Sequence, residues 1–439
     1  MKKFLAMLTA LVLIAALGTA ALAETEVTIW TPDIVGGDYL TALRELADRF
    51  ETENEGVTIT IEELNFDGIG EKLESAMMTG TTPDIYIDGT ARTAKLPSTG
   101  LTADVSDVIG ALDGWNEGAV QIGEVDGAYY LVPITLMPST ILTVNVSLAK
   151  QYGVYDLLPE DRVSWDWPQF MAFLDACGEK SLADGVYPIA LYAGSQSSDI
   201  AYYTMLLSAG AEILNADHTA AAVNTPAAVQ AMAYLKEMQD KGLVYPGVAE
   251  MKDQDVSGLF LNGKVIVDLT CNGGLGALPA FQKAVDEGVL TEVPEIQGYA
   301  WPTLDGSASK CATWGANCAA IFENDGDAGK IEAAKGFLKA MVSDETFNEA
   351  LWSASLNYGP ARETGVQLTI EDEQITRELE MKSVFAQYND SAFGILESYW
   401  GEIRQYFYPE MQSMILGSKT PEEAIQGFEA GVNDVLSHN

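Results

Sequence analysis

The strongest constraint on this chain is the alternation of short apolar β runs with amphipathic helical stretches over residues 27–87. Residues 27–30 read as a strand. Residues 38–54 place Leu40, Leu43, Leu46 and Phe50 on one helical face, with Gly56 just beyond the end. Val57, Ile59 and Ile61 alternate as in a strand, residues 69–79 form a helix that stops at Gly80, and residues 84–87 form the next strand. A β-α-β-α-β order of this kind predicts an α/β fold with a doubly wound, mainly parallel sheet. Ligands bind such sheets beyond the carboxyl ends of the strands, where residues 30–33 and 88–92 fall.

The rest of the chain is richer in helices. Residues 165–180 carry Trp167, Phe170, Phe173 and Cys177 at helical spacing. Thr225-Pro226 starts a helix that Gly242 ends, residues 265–269 and 318–322 read as buried strands, and residues 331–342 form a helix. Thr420-Pro421-Glu422-Glu423 is a capping box ahead of a C-terminal helix. At the other end, Lys2 and Lys3, an apolar run over residues 4–17 and Ala21-Leu22-Ala23 read as a secretory leader, residues 1–23. The apolar run is short for a spanning anchor. Export permits disulfides among Cys177, Cys271, Cys311 and Cys318. Cys311 and Cys318 are the close pair that could bridge across a bend; four buried free thiols are the alternative.

Charge and composition exclude several functions. The 439 residues carry 64 acids against 24 Lys and Arg, a formal charge of −40. That leaves too little positive charge to hold a phosphate backbone, so no nucleic-acid partner is expected, nor an anionic membrane surface. The two histidines, His218 and His438, sit in polar terminal or turn-like stretches, so neither a Ser-His-Asp arrangement nor a histidine metal site is expected. Gly273-Gly274-Leu275-Gly276 lacks the spacing of a dinucleotide loop. A carboxylate-pair hydrolase remains open on composition, with no local pattern selecting a pair.

Eight motifs in order carry a resemblance. They are the strand ending at Trp30, the segment Phe50 to Val57, Gly80-Thr81-Thr82-Pro83-Asp84-Ile85, Asp126-Gly127 followed by Tyr130 and Pro133, Ser164-Trp165-Asp166, Phe260-Leu261-Asn262-Gly263-Lys264, Tyr358-Gly359-Pro360-Ala361-Arg362, and the helix start from Gly417 to Ala424. In these the chain resembles the family 1 extracellular solute-binding proteins of ABC importers, over nearly its whole length. The resemblance implies a two-lobe, type II periplasmic-binding-protein fold with the ligand in the cleft between lobes. It places a multi-strand hinge near residues 132–135, 300–303 and 343–346. The lobes are then 24–133 plus 302–344, and 134–301 plus 345–439. It also implies an exported, monomeric protein that acts in the periplasm or at the outer face of the membrane. Such a protein holds no cofactor, carries out no covalent chemistry and hands its solute to membrane permease subunits. Two departures stand out: Val144-Asn145 where the family often has Tyr-Asn, and Leu275 where the maltose binder stacks a Trp on sugar, so maltose itself is not the expected solute.

A sugar cleft needs aromatic faces and hydrogen-bonding groups. The candidates are Trp30 and Asp33 after the first strand, Asp88 and Arg92 after the third, and Asn272, Trp314, Tyr358, Arg362 and Trp400. A carbohydrate is the expected solute. The same fold could instead take a polyamine, which needs several cleft carboxylates, or glycerol phosphate, which needs clustered basic groups. Iron is the third alternative, through adjacent tyrosines such as Tyr129-Tyr130 or Tyr202-Tyr203, though both tyrosine pairs read better as packing.

Overall fold

The computed structural model describes residues 25–438 apart from 37, 67, 138, 271–273, 313–314, 325, 355, 357, 364–365, 367–369 and 391–398. The leader, Cys271, Asn272 and Trp314 lie outside the described residues. In chain order the principal strands are β1 (Thr25–Thr31), β2 (Val57–Glu63), β3 (Ile85–Gly89), β4 (Val132–Leu136), β5 (Leu142–Asn145), β6 (Tyr187–Ile189), β7 (Val265–Asp268), β8 (Ile296–Tyr299), β9 (Ala316–Ile321) and β10 (Gly359–Pro360). The helices used below are α1 (Tyr39–Glu53), α2 (Ile69–Thr79), α3 (Trp167–Ser181), α4 (Asp199–Ser208), α5 (Pro226–Asp240), α6 (Asp253–Leu261), α7 (Ala328–Ser343), α8 (Glu345–Ala354), α9 (Glu373–Ala386), α10 (Phe407–Ile415) and α11 (Pro421–His438).

Two sheets organise the molecule. A six-stranded sheet has the order β10-β4-β9-β3-β1-β2, and a four-stranded sheet the order β8-β5-β7-β6. The β1, β2 and β3 strands are parallel, as the alternating pattern requires, and β9 runs antiparallel between β3 and β4. Asp84 in the Pro-Asp turn explains that motif physically. Its carboxylate accepts from Thr28 N (2.8 Å) and Thr28 Oγ1 (2.9 Å), tying the start of β3 to β1. Gly80, at φ 67°, takes the left-handed conformation that ends α2. Thr420 and Glu423 form the capping box reciprocally, at 2.8 and 3.2 Å.

Each sheet has its own core. On one side Val27, Ile29, Leu43, Ile87 and Phe337 pack together, and on the other Trp165, Phe170, Val267, Met232 and Phe428. The chain passes between these cores at points that differ from the hinge expectation. Residues 301–310 stay with the second core: Trp301 lies 6.3 Å from Trp167, and Ser309 Oγ donates to Ser208 Oγ at 2.7 Å. The α8 helix, expected in the second lobe, packs Phe347, Leu351 and Trp352 into the first core, and β10 pairs with β4. By these contacts residues 301–310 join the second core, and α8 and β10 join the first. Helical periodicity marks an apolar face without saying which of two sheets will bury it.

The α3 helix starts at Trp167 because Asp166 caps it, with Gln169 completing a capping box, so Trp165 lies before the helix. Cys177, Cys311 and Cys318 are free and buried. The bridge between Cys311 and Cys318 does not form, because their side chains enter different cores: Cys318 packs with Tyr86 and Leu131, Cys311 with Val163 and Phe385. Burial pushes all three thiols up to about 12. Among the described residues no helix is long and apolar enough to cross a membrane.

Candidate functional site

The carboxyl ends of β1 and β3 open onto a cavity of about 1200 Å³. It is lined from one side by Asp33, Phe66, Asp88, Arg92, Asn317 and Tyr358, and from the other by Tyr192, Ser257, Asp268, Lys283 and Arg404. Both sheets therefore contribute walls. That volume exceeds the roughly 300–1,000 Å³ of ordinary small-molecule sites.

The first wall is built on strand ends. Asp88, fully buried at the end of β3, accepts from Arg92 Nε (2.5 Å) and Nη2 (2.7 Å), from Tyr86 Oη (2.5 Å) and from Gly89 N (2.6 Å). Burial opposes the Arg92 charge, but Asp88 outweighs it and holds the guanidinium above its ordinary range. Asp33 follows β1 and accepts from Gly36 N at 2.8 Å. Burial pushes its carboxyl up. Phe66, in the turn after β2, is 48% exposed, with the Arg92 guanidinium 5.7 Å from its ring centroid. An exposed ring on a cavity wall offers an apolar face. Tyr358 precedes β10, and its carbonyl accepts from Lys382 Nζ at 2.8 Å. Burial pushes that ammonium down to about 8.

On the second wall, Arg404 donates Nε to Asp199 Oδ2 (2.6 Å) and Nη2 to Asp199 Oδ1 (2.9 Å), both residues being buried. Asp268 ends β7. It accepts from Thr270 N (3.1 Å) and Thr270 Oγ1 (2.8 Å), and burial pushes its carboxyl up to about 6. The Thr270 hydroxyl also shares a hydrogen bond with Ser257 Oγ at 3.0 Å.

Of the residues singled out from sequence, Asp33, Asp88, Arg92 and Tyr358 meet at this cavity. Three others do not reach its wall. Trp30 alternates to the opposite face of β1 from Ile29, where it packs under α2 with Lys72 Nζ 4.0 Å from its ring centroid. Arg362 spends its guanidinium on the carbonyls of Asp113 (2.9 Å) and Val342 (3.2 Å). Trp400 is 1% exposed in the second core, 5.7 Å from the Tyr203 ring. Tyr202 and Tyr203 are themselves buried in α4. Among the described residues no group of His, Cys, Asp and Glu is arranged to hold a metal ion.

Sequence reasoning missed Phe66, Asp268 and Arg404. Two of them carried a signal. Phe66 is an aromatic residue in the polar turn Asn65-Phe66-Asp67 just past a strand, and Asp268 is a carboxylate at the carboxyl end of the apolar run Val265-Ile266-Val267.

Two α/β lobes with a cavity walled by both define a cleft-type binding protein. The chain belongs to the bacterial extracellular solute-binding proteins, whose family model matches residues 45–382. It is 25% identical to a candidate binding protein of Brucella abortus (strain 2308), over 98% of this chain and 97% of that protein. The fold matches an ABC substrate-binding protein from Listeria monocytogenes in complex with cycloalternan, with a TM-score of 0.74, 20% identity, and 94% and 99% of the two chains covered. It also matches a chitin oligosaccharide binding protein, with a TM-score of 0.76, 19% identity, and 94% and 99% covered.

Proposed function

We propose that this protein captures a carbohydrate in the cavity between its lobes and delivers it to the permease of an ABC importer, without covalent chemistry on the solute. The observation that carries the reading is the wall itself: the exposed Phe66 ring stands beside the hydrogen-bonding groups of Asp33, Arg92 and Tyr358. An aromatic face takes the C–H surface of a sugar ring, while carboxylate and guanidinium groups take its hydroxyls. The volume suits an oligosaccharide better than a single ring. The Listeria protein is in complex with cycloalternan, and the other neighbour is named as a chitin oligosaccharide binding protein, which supports the same class here. Solute bridging the two walls stabilises a closed form relative to an open one, and that differential contact is what a permease can read.

A thermal-shift screen of residues 24–439 against mono- and oligosaccharides tests this, with glycerol phosphate, spermidine and Fe(III) as contrasts. A solute present at 100 times its Kd adds about 2.7 kcal/mol to the folded state. A shift with an oligosaccharide and none with the contrasts is expected. A shift with a contrast solute alone refutes the carbohydrate reading, and turnover of the oligosaccharide refutes the absence of chemistry.

A further inference from the structure

The described residues include five buried carboxylates: Asp84, Asp88, Asp199, Asp268 and Glu378. Four have a basic partner. Asp84 faces Lys330 at 3.6 Å, Asp88 holds Arg92 at 2.5 Å, Asp199 holds Arg404 at 2.6 Å, and Glu378 holds Arg162 at 2.8 Å. Asp268 is 2% exposed and has none among the described residues. It is also at the carboxyl end of β7, on the cavity wall. Burying a carboxylate without a counter-charge is costly, and a cation brought to it relieves that cost.

Among the described residues, the groups that hydrogen-bond Asp268 are a hydroxyl and backbone amides rather than charges, and Lys283 lines the same cavity. Thr270 supplies its N–H and Oγ1, and Ser257 of α6 stands behind Thr270. Thr143 of β5 lies directly across from Asp268 in the antiparallel pair, so its side chain shares the same face of the sheet. The Thr143 hydroxyl is buried with no hydrogen-bond partner among the described residues. The two arginines of the cavity are already held bidentately, Arg92 by Asp88 and Arg404 by Asp199.

We infer that the solute carries a protonated amine that pairs with Asp268 in the cavity, so that the preferred carbohydrate is a non-acetylated amino sugar. The inference rests on the carbohydrate reading above and specifies its class. An ammonium offers three donors, and the Asp268 carboxylate on the cavity wall can accept from it. The rest of its ring then lies toward the cavity, where Phe66 presents an apolar face.

Isothermal titration of residues 24–439 near neutral pH tests the inference, with glucosamine oligomers against N-acetylglucosamine and glucose oligomers of equal length. Glucosamine oligomers are expected to bind about tenfold tighter or more. Asp268→Asn should erase that preference. The wild-type comparison of the three oligomer series needs no variant. Equal binding of the three series, or a preference that survives Asp268→Asn in folded protein, overturns the inference and leaves the carbohydrate reading standing. Binding of spermidine with no oligomer bound, or no binding at all, overturns both.

Discussion

Asp268→Asn should stabilise the ligand-free protein, and the gain should depend on pH. Burial moves the Asp268 carboxyl from its ordinary 3.8 to about 6. That difference penalises the folded, ionised protein by about 3 kcal/mol. The sign follows from which state holds the proton. At low pH both states are protonated and the penalty is absent. Between 3.8 and about 6 the unfolded chain ionises while the folded one keeps its proton, so folding loses stability as pH rises. Above that window the full penalty is in place. At pH 5 about half of it is present, so the variant's advantage should grow by about 1.4 kcal/mol between pH 5 and pH 7.5. Any constant cost of the amide cancels in that comparison, and the amide can still accept from Thr270 N. Urea unfolding of both proteins at the two pH values, without solute, is the assay. A difference that does not change with pH, or that shrinks as pH rises, refutes the reasoning.

Three further outcomes are expected. Phe66→Ala should weaken oligosaccharide binding by about 0.5–1.5 kcal/mol or more in calorimetry while leaving the unfolding midpoint nearly unchanged, because half the ring is in solvent and only a binding contact is lost. Arg404→Leu should cost about 3–5 kcal/mol of stability in urea unfolding, because it strands the fully buried Asp199 carboxylate without its partner. Cys177, Cys311 and Cys318 should resist a thiol reagent in native protein and react once it is unfolded, since burial both covers them and suppresses the thiolate. A native mass two hydrogens lighter, mapped to a Cys311–Cys318 bridge, would contradict the separate cores that hold them.

The local sequence determined the elements themselves. Leu43, Leu46 and Phe50 at helical spacing, Val57, Ile59 and Ile61 in alternation, Gly80 as a left-handed stop and the Thr420–Glu423 capping box each act within a few residues, so their physics is legible in one dimension. Strand ends also pointed to the cavity for Asp33, Asp88 and Arg92, while Tyr358 came from the Gly359-Pro360 motif. What only the tertiary structure decided is which face a residue turns and who stands opposite. Trp30 lies next to the same strand end as Asp33 yet points under α2, and α8 shows an apolar face that either core could have buried. Arg404 reaches the cavity because Asp199, some 200 residues earlier in the chain, fixes its guanidinium. Among the described residues, Asp268 differs from the other buried carboxylates in having no cation beside it. That is a fact about space between distant segments, and a linear pattern of residue types does not encode it.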